Sequence, residues 1–402
     1  MDNQLACDVV VVGAGMVGAA CALYASRAGL RTLLVDRGPV AGGTTGAGEG
    51  NLLVSDKEPG PELDLALLSR RLWGDLAAEP GLGRAVEFEE KGGVVVASGP
   101  EGMAALSTFA EGQRTAGVEA LTVTPEELRD LEPHMTKDVA GGVHYPQDCQ
   151  VMPSLAAAQV VRAARRAGAE LRIGATVTAV LRTKDGSVRG VRTDRHGDLR
   201  APVVVNAAGT WGGEVAALAG VRLPVLPRRG FVLVTEPLPR AVVRHKVYAA
   251  DYVADVASGD AGLQSSAVVE GTAAGPVLIG ASRERVGFDR GFSLPVARRL
   301  AAQAVALFPA LDTVRVMRGY LGFRPYLPDH LPAIGADPRV PGLYHACGHE
   351  GAGIGLAVGT GHLIAQSLTG ATPDLDLAPF RPDRFEDAAP EGSPNRREEG
   401  QQ

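Results

Sequence analysis

Near the N-terminus, the apolar run Val9–Val12 passes directly into Gly13-Ala14-Gly15-Met16-Val17-Gly18. A short continuous apolar run suits a strand buried on both faces. A small-residue helical stretch, Ala19–Ala28, follows, and then a second strand-like segment, Arg31–Asp36, which ends on an acid. A strand, a G-x-G-x-x-G turn, a helix and an acid about twenty residues on form the dinucleotide-binding unit. Gly13 permits the tight turn, Gly15 lets backbone approach a pyrophosphate, and Gly18 lets helix and strand pack closely. The helix N-terminus offers unpaired N–H groups and partial positive charge to phosphate. Asp36 is placed to accept from a ribose, and its charge disfavours a 2′-phosphate.

The rest of the composition narrows the class. The 402 residues allow two or three domain-sized cores. A net charge of −6 leaves no basic footprint for nucleic acid. No run reaches the ~18 apolar residues of a membrane span. The chain enters its first strand without a basic, cleavable leader, so the expected location is cytoplasmic, with peripheral membrane association only through a partner. Cys7, Cys21, Cys149 and Cys347 are scattered, without zinc or iron–sulfur spacing. No metal is expected.

Strand and helix signals alternate in a way that predicts an α/β fold, α+β overall. Residues 60–80 have helical apolar spacing, and 87–98 and 102–140 read as strands and helices of another layer. A helix near Leu155–Ala167 precedes strands at Glu170–Ile173, Val177–Arg182, Ser187–Asp194 and Pro202–Asn206. From Pro224 to Arg318 the chain is β-rich, with one helix at Leu294–Phe308. It closes with strand Gly342–Ala346, a glycine cluster and helix Gly355–Leu368. Stretches of α/β character (1–90, 145–222 and 327–385) thus alternate along the chain with others of a different, more β-rich layer (91–144 and 223–326). The polar tail, 386–402, reads as disordered.

Two distant segments decide between FAD and a nicotinamide. Val203–Trp211 is a strand ending in small residues, Ala207, Ala208 and Gly209, and Gly348–Gly355 is a second strand-to-helix turn. A nucleotide touched by the start, middle and end of one chain is long and deeply buried, which describes FAD.

The segments VVVVGAGMVGAACALYASRAG…VD, VVNAAGTW, FRPYLPDHLPAIG and GHEGAGIG, in that order, resemble the FAD-dependent D-amino-acid oxidase superfamily over roughly residues 8–385. The stretches EGNLLVSDKEPGPELDLALLSRRLW and GYLGFRPYLPDHLPAIG resemble the FAD-binding subunits of D-hydroxyproline dehydrogenase, hydrogen cyanide synthase and opine oxidases. Glycine oxidase and monomeric sarcosine oxidase are more distantly similar. The resemblance implies an interleaved two-domain fold, with the α/β stretches as a discontinuous Rossmann-type FAD-binding domain and the β-rich ones as the substrate domain. It sets Met16 and Val17 beside the FAD phosphates and Asp36 and Arg37 at the adenosine. It puts Thr44, Thr45, Glu49, Gly50 and Asn51 along the flavin, and Val177 at the adenine half through its backbone. Gly348, His349, Gly351, Gly353 and Ile354 would wrap the isoalloxazine. Monomeric sarcosine oxidases carry a flavin-bonding cysteine between the positions matching Tyr320 and Asp329. This chain has none there, so the FAD is expected to be non-covalent.

Amine oxidation at a flavin needs a fixed substrate, a deprotonated amine and positive potential near flavin N1. The N-terminus of helix Gly355–Leu368 is a candidate for the last. Arg324, in Gly322-Phe323-Arg324-Pro325, is the candidate carboxylate ligand, because a guanidinium grips a carboxylate with two parallel bonds. The matching arginine of glycine-oxidase-like enzymes has that role; the competing reading is a structural salt bridge to Asp329. His349 is read either as a group that tunes the flavin and handles a proton near neutral pH, or as a packing residue at a helix entry. Tyr252 is a candidate for the substrate wall, and Arg229 for either the site or a strand anchor.

The expected activity is oxidation of a small amino or imino acid (a D-amino acid, proline-like or glycine-like) at the C–N bond. The alternatives are a flavin-dependent 2-hydroxy-acid or alcohol dehydrogenase and a non-catalytic FAD-binding scaffold subunit. The electrons would pass to oxygen, a quinone or a redox partner subunit.

Overall fold

A computed structural model describes residues 7–239, 242–252 and 259–386. The tail expected to be disordered lies, from residue 387 on, outside the described residues. A six-stranded sheet runs in the order Ala333–Ala336, Leu343–Cys347, Val203–Asn206, Val9–Val12, Thr32–Asp36, Glu170–Ile173. All neighbours are parallel except the edge pair Ala333–Ala336 with Leu343–Cys347. Val9–Val12 lies at the centre with all four residues buried, the reason the run is uninterruptedly apolar.

Helix Met16–Arg27 covers one face and packs on Pro153–Arg166 and Gly353–Thr369. Its small residues set that approach: a methyl group on Gly361 would lie 2.6 Å from the carbonyl carbon of Ala20. The opposite face carries a second buried cluster that includes the antiparallel sheet Val177–Arg182, Val188–Thr193 and Gly197–Arg200.

An eight-stranded mixed sheet forms the other half of the molecule. Its order is Val316–Tyr326, Leu226–Thr235, Val277–Arg283, Gln264–Gly271, Lys246–Ala249, Gly93–Ala97, Gly141–Tyr145, Leu121–Val123. Helix Leu294–Leu307 covers one face through Val296, Ala297, Leu300 and Ala304. The chain crosses between the two sheets several times, so the mixed α/β class read from the sequence is the one observed. Boundaries move by a few residues. The last helix begins at Gly353 rather than Gly355, because the 3-10 turn Glu350–Ala352 feeds directly into it. Among the described residues no helix is long and apolar enough to cross a membrane.

Candidate active site

Between the two sheets lies a cavity of about 550 Å³. It starts where Val12 meets Gly13, follows the helix N-terminus at Gly15, Met16 and Val17, and passes Asp36 and Arg37. It continues along Thr44–Thr45 and Ala47–Asn51 and ends among Gly230, Gly322–Pro325 and His349–Gly351.

The cavity is shaped at its phosphate end by backbone. Gly13 sits at φ +113, where a side chain would be strained, and a methyl there would lie 2.3 Å from the Ala207 carbonyl oxygen. A methyl on Gly18 would meet the Gly13 oxygen at 1.8 Å, so Gly18 supports the turn without lining the cavity. The Asp36 carboxylate accepts from Ala14 N (2.6 Å) and Gly38 N (2.7 Å), bracing the loops on both sides. Thr45 Oγ1 accepts from Met16 N at 3.0 Å, and Thr44 Oγ1 donates to the Phe323 carbonyl at 2.6 Å. Val177, Ala208 and Gly209 line the same channel. Arg37 stacks over Trp211 at 4.2 Å, giving the outer rim a flat cation–aromatic pair.

The inner end is built on paired strands. Gly230 and Gly322 face each other in register, and both lack the side chain that would fill the floor. A methyl on Gly230 would lie 2.2 Å from Arg324 Nη1, and one on Gly322 2.6 Å from Ala47 Cβ. Arg324 therefore lies flat across the strand, with Nη1 donating to the Ser282 carbonyl at 2.7 Å. Burial, then the neighbouring Arg283, pushes its guanidinium down to about 10, so it stays charged. The salt bridge to Asp329 is not made: Asp329 pairs with Arg384 at 2.6 Å. Among the described residues no carboxylate forms an ion pair with Arg324. Arg229, by contrast, is an anchor, paired with Glu284 at 2.9 Å and with Asp289 at 2.5 Å.

His349 lines the cavity and is buried. Thr360 Oγ1 gives its proton to the Leu356 carbonyl, so it accepts from His349 Nε2 at 3.0 Å. Burial pushes the imidazole down to about 3, so it is neutral at physiological pH. That burial speaks for the packing reading of His349 and against proton handling near neutral pH; in this structure the ring is a fixed wall. Gly348 lies outside the cavity lining, its missing side chain making room for Leu327, 2.1 Å from where a methyl would sit. Gly351, Gly353 and Ile354 line the cavity at the N-terminus of the last helix, whose cap, Ala352, leaves the first N–H groups without a side-chain partner.

Tyr252 borders a neighbouring cavity of about 250 Å³, which shares His349, Glu350 and Gly351 with the main one. It packs on Tyr248 at 4.8 Å and lies under Arg283 at 4.6 Å. Sequence reasoning missed Arg283, and also Glu350, which is buried and paired with Arg228 and, at 3.0 Å, with His330. It also missed the facing glycines. Lone glycines inside two strand-like runs were the available signal for a close approach of backbone and ligand.

A glycine-lined channel, an uncapped helix N-terminus, an acid and a half-buried arginine along one cavity fit a long dinucleotide. The sequence matches the family described as FAD dependent oxidoreductase over residues 8–367, and the chain belongs to that family. It is an FAD-dependent oxidoreductase. It is 31% identical to the hydrogen cyanide synthase subunit HcnC of Pseudomonas aeruginosa, over 94% of this chain and 96% of that protein. It is 29% identical to the glycine oxidase of Geobacillus kaustophilus, over 93% and 96%. The crystal structure of the Geobacillus kaustophilus glycine oxidase superposes with a TM-score of 0.84 at 28% identity, covering 95% and 99% of the two chains. L-proline dehydrogenase from P. horikoshii shares the fold, with a TM-score of 0.86 at 24% identity, covering 94% and 98%.

Proposed function

We propose that this chain oxidises the C–N bond of a small amino or imino acid, with Arg324 holding the substrate carboxylate. The observation that carries this reading is the half-buried Arg324 guanidinium lining the cavity, with which no carboxylate among the described residues forms an ion pair. A half-buried cation without an ion-pair partner is placed to take its countercharge from a ligand in the cavity. The relatedness to a glycine oxidase supports an amino acid as that ligand.

When bound, FAD supplies the two-electron acceptor for the hydride equivalent leaving the substrate α-carbon. The chain's own residues do the rest. Arg324 fixes the carboxylate, and the side-chain-free floor at Gly230 and Gly322 lets the substrate lie close above the strands. His349, neutral and tied to Thr360, closes the wall without adding charge beside the amine. The N–H groups at the start of Gly353–Thr369 would offer positive potential to the cofactor in its reduced, negatively charged form. No cysteine lines the cavity, which supports a non-covalent cofactor.

The electrons go onward to a partner subunit or an artificial dye faster than to oxygen; relatedness to a protein that is itself a synthase subunit supports this. An anaerobic screen of D- and L-amino acids, prolines, glycine and sarcosine, read as bleaching of the flavin band, tests the reading. Including 2-hydroxy acids matters, because Arg324 would grip their carboxylate equally well. Bleaching by hydroxy acids alone would move the chain to that class, and bleaching by neither would leave a scaffold.

A further inference from the structure

Oxidation of a zwitterionic amine leaves a proton to be disposed of. The ammonium N–H breaks with its electron pair staying on nitrogen, the α-C–H leaves with its pair to the flavin, and C=N closes. One proton remains for each two electrons, beside a neutral histidine and a charged arginine.

A second set of buried titratable groups runs away from this cavity. Glu49 lines it and is buried, with Oε1 lacking a hydrogen-bond partner among the described residues. Its carboxylate is seated on the eight-stranded sheet: a methyl at Gly280 would lie 1.9 Å from Glu49 Oε1. Two residues from Gly280 along the same strand, Leu278 is paired in register with Glu270. Glu270 is fully buried, and neither carboxylate oxygen has a hydrogen-bond partner among the described residues. On the next strand Lys246 faces Glu270 in register, also buried, with Nζ likewise unpartnered by hydrogen bonds. Lys91 Nζ lies 4.0 Å from Glu270 Oε1 and 3.9 Å from Glu89 Oε2, and donates to the Gly271 carbonyl. Lys91 and Glu89 line a surface hollow of about 350 Å³ with Val243, Arg244 and Thr272.

We propose that Glu49, Glu270 and Lys91 form a proton path from the flavin cavity to the surface hollow at Glu89. The proposal rests on the amine-oxidising reading above. Buried carboxylates and ammonium groups left without hydrogen bonds are expensive as pure structure. They are what a path of transferable protons requires, with bound water bridging the gaps between them. The order of the groups runs one way, from a cavity residue through a fully buried carboxylate to a half-exposed one.

The groups facing Glu270 come from every element around it. They are Lys91 and Glu89 before strand Gly93–Ala97, Lys246 on the adjacent strand, Glu49 from the flavin loop, and Tyr320 on strand Val316–Tyr326. Burial, opposed by Lys91 and Lys246 and aided by Glu49 and Glu89, pushes its carboxyl up to about 7. A group balanced there can take up and release a proton at neutral pH.

The test follows the proton itself. FAD-loaded enzyme is mixed anaerobically with a substrate from the screen in weakly buffered solution containing a pH indicator. Flavin bleaching and indicator change are recorded together. Wild-type enzyme should release its proton in step with bleaching. Glu270→Gln, which preserves shape but cannot carry the proton, and Lys91→Met should each show indicator change lagging bleaching by at least ~10-fold. In resting protein, a carboxyl C=O stretch titrating near neutral pH should vanish in Glu270→Gln. If Glu270→Gln does not fold, Lys91→Met decides alone. Synchronous release in every folded variant overturns the path, whereas absence of bleaching in wild-type enzyme with any amine overturns the reading beneath it.

Discussion

Arg324→Lys retains the charge and changes only its shape. The guanidinium lies across the Gly230–Gly322 floor, one nitrogen on the Ser282 carbonyl, the remaining donors available to a ligand. A lysine there presents a single ammonium on a flexible stem, so it either keeps Ser282 or reaches the substrate, and cannot orient a carboxylate with two parallel bonds. A charge-assisted hydrogen bond contributes about 1.5–3 kcal/mol. Losing one of the two in the transition-state complex lowers kcat/KM by ~10- to ~150-fold. The flavin should remain bound, because Arg324 bonds to the Ser282 carbonyl and takes no part in holding the Gly13–Gly18 turn. The assay pairs steady-state dye reduction with stopped-flow bleaching and with the flavin absorbance at 1:1 loading. A simple carboxylate such as benzoate should perturb the wild-type flavin spectrum and leave that of the variant unchanged. Turnover within twofold of wild type, with the carboxylate response intact, would show that Arg324 is a structural residue and that the carboxylate binds elsewhere.

Asp36→Ala removes the acceptor for both Ala14 N and Gly38 N and should weaken FAD binding by ~10-fold or more, about 1.5–3 kcal/mol, measured by fluorescence titration of the apoprotein. Acid precipitation of the yellow protein should leave the flavin in the supernatant; colour in the pellet would contradict a non-covalent cofactor. Reduced enzyme mixed with air-saturated buffer should reoxidise more slowly than substrate reduces it, and stopped-flow traces showing the reverse order would make it an oxidase. His349 links folding to pH: its imidazole is held near 3 when folded and titrates at 6.5 when unfolded, so the unfolded chain takes up the extra proton between those values. Stability is therefore complete above about pH 6.5 and is lost as pH falls towards 3, by about 2 kcal/mol at pH 5 from this group alone. Denaturant midpoints of wild type and His349→Gln should converge between pH 7 and pH 5, and parallel pH dependence in the two proteins would remove His349 as the cause.

What was legible in the sequence was what chain neighbours decide. The Gly13–Gly18 turn works through its own backbone and the strand and helix beside it, so its residues name their task without the rest of the fold. Arg324 was singled out because a guanidinium in Gly322-Phe323-Arg324-Pro325 suits a carboxylate, while the side-chain-free floor beside it comes from a strand pairing with Gly230 that no local pattern shows. His349 was left with two readings because its environment comes from Thr360 and the packed helix, and burial of that kind has no local signature. Its partner on the other side of the turn, Glu350, was missed for a related reason: its charge is held by Arg228 and His330, residues far away in the chain.

The Lys91, Lys246 and Glu270 cluster was the least legible, and the reason is topological. Each residue sits in or beside a strand where a lone charge reads as solvent-facing. Burial arises only because Gly93–Ala97 pairs in parallel with Lys246–Ala249, and that strand pairs in turn with Gln264–Gly271. The parallel pairing joins segments about 150 residues apart and brings Lys91 beside Glu270, a contact no periodicity foreshadows. The same crossing of the chain between the two sheets that creates the flavin cavity also carries these charges inward behind it. A fold that only needed to hold the cofactor had no reason to bury Lys246 and Glu270 there without hydrogen bonds and set Lys91 beside them. Function, rather than packing, is the economical account of why they are kept, and the indicator experiment on Glu270→Gln and Lys91→Met is where that account stands or fails.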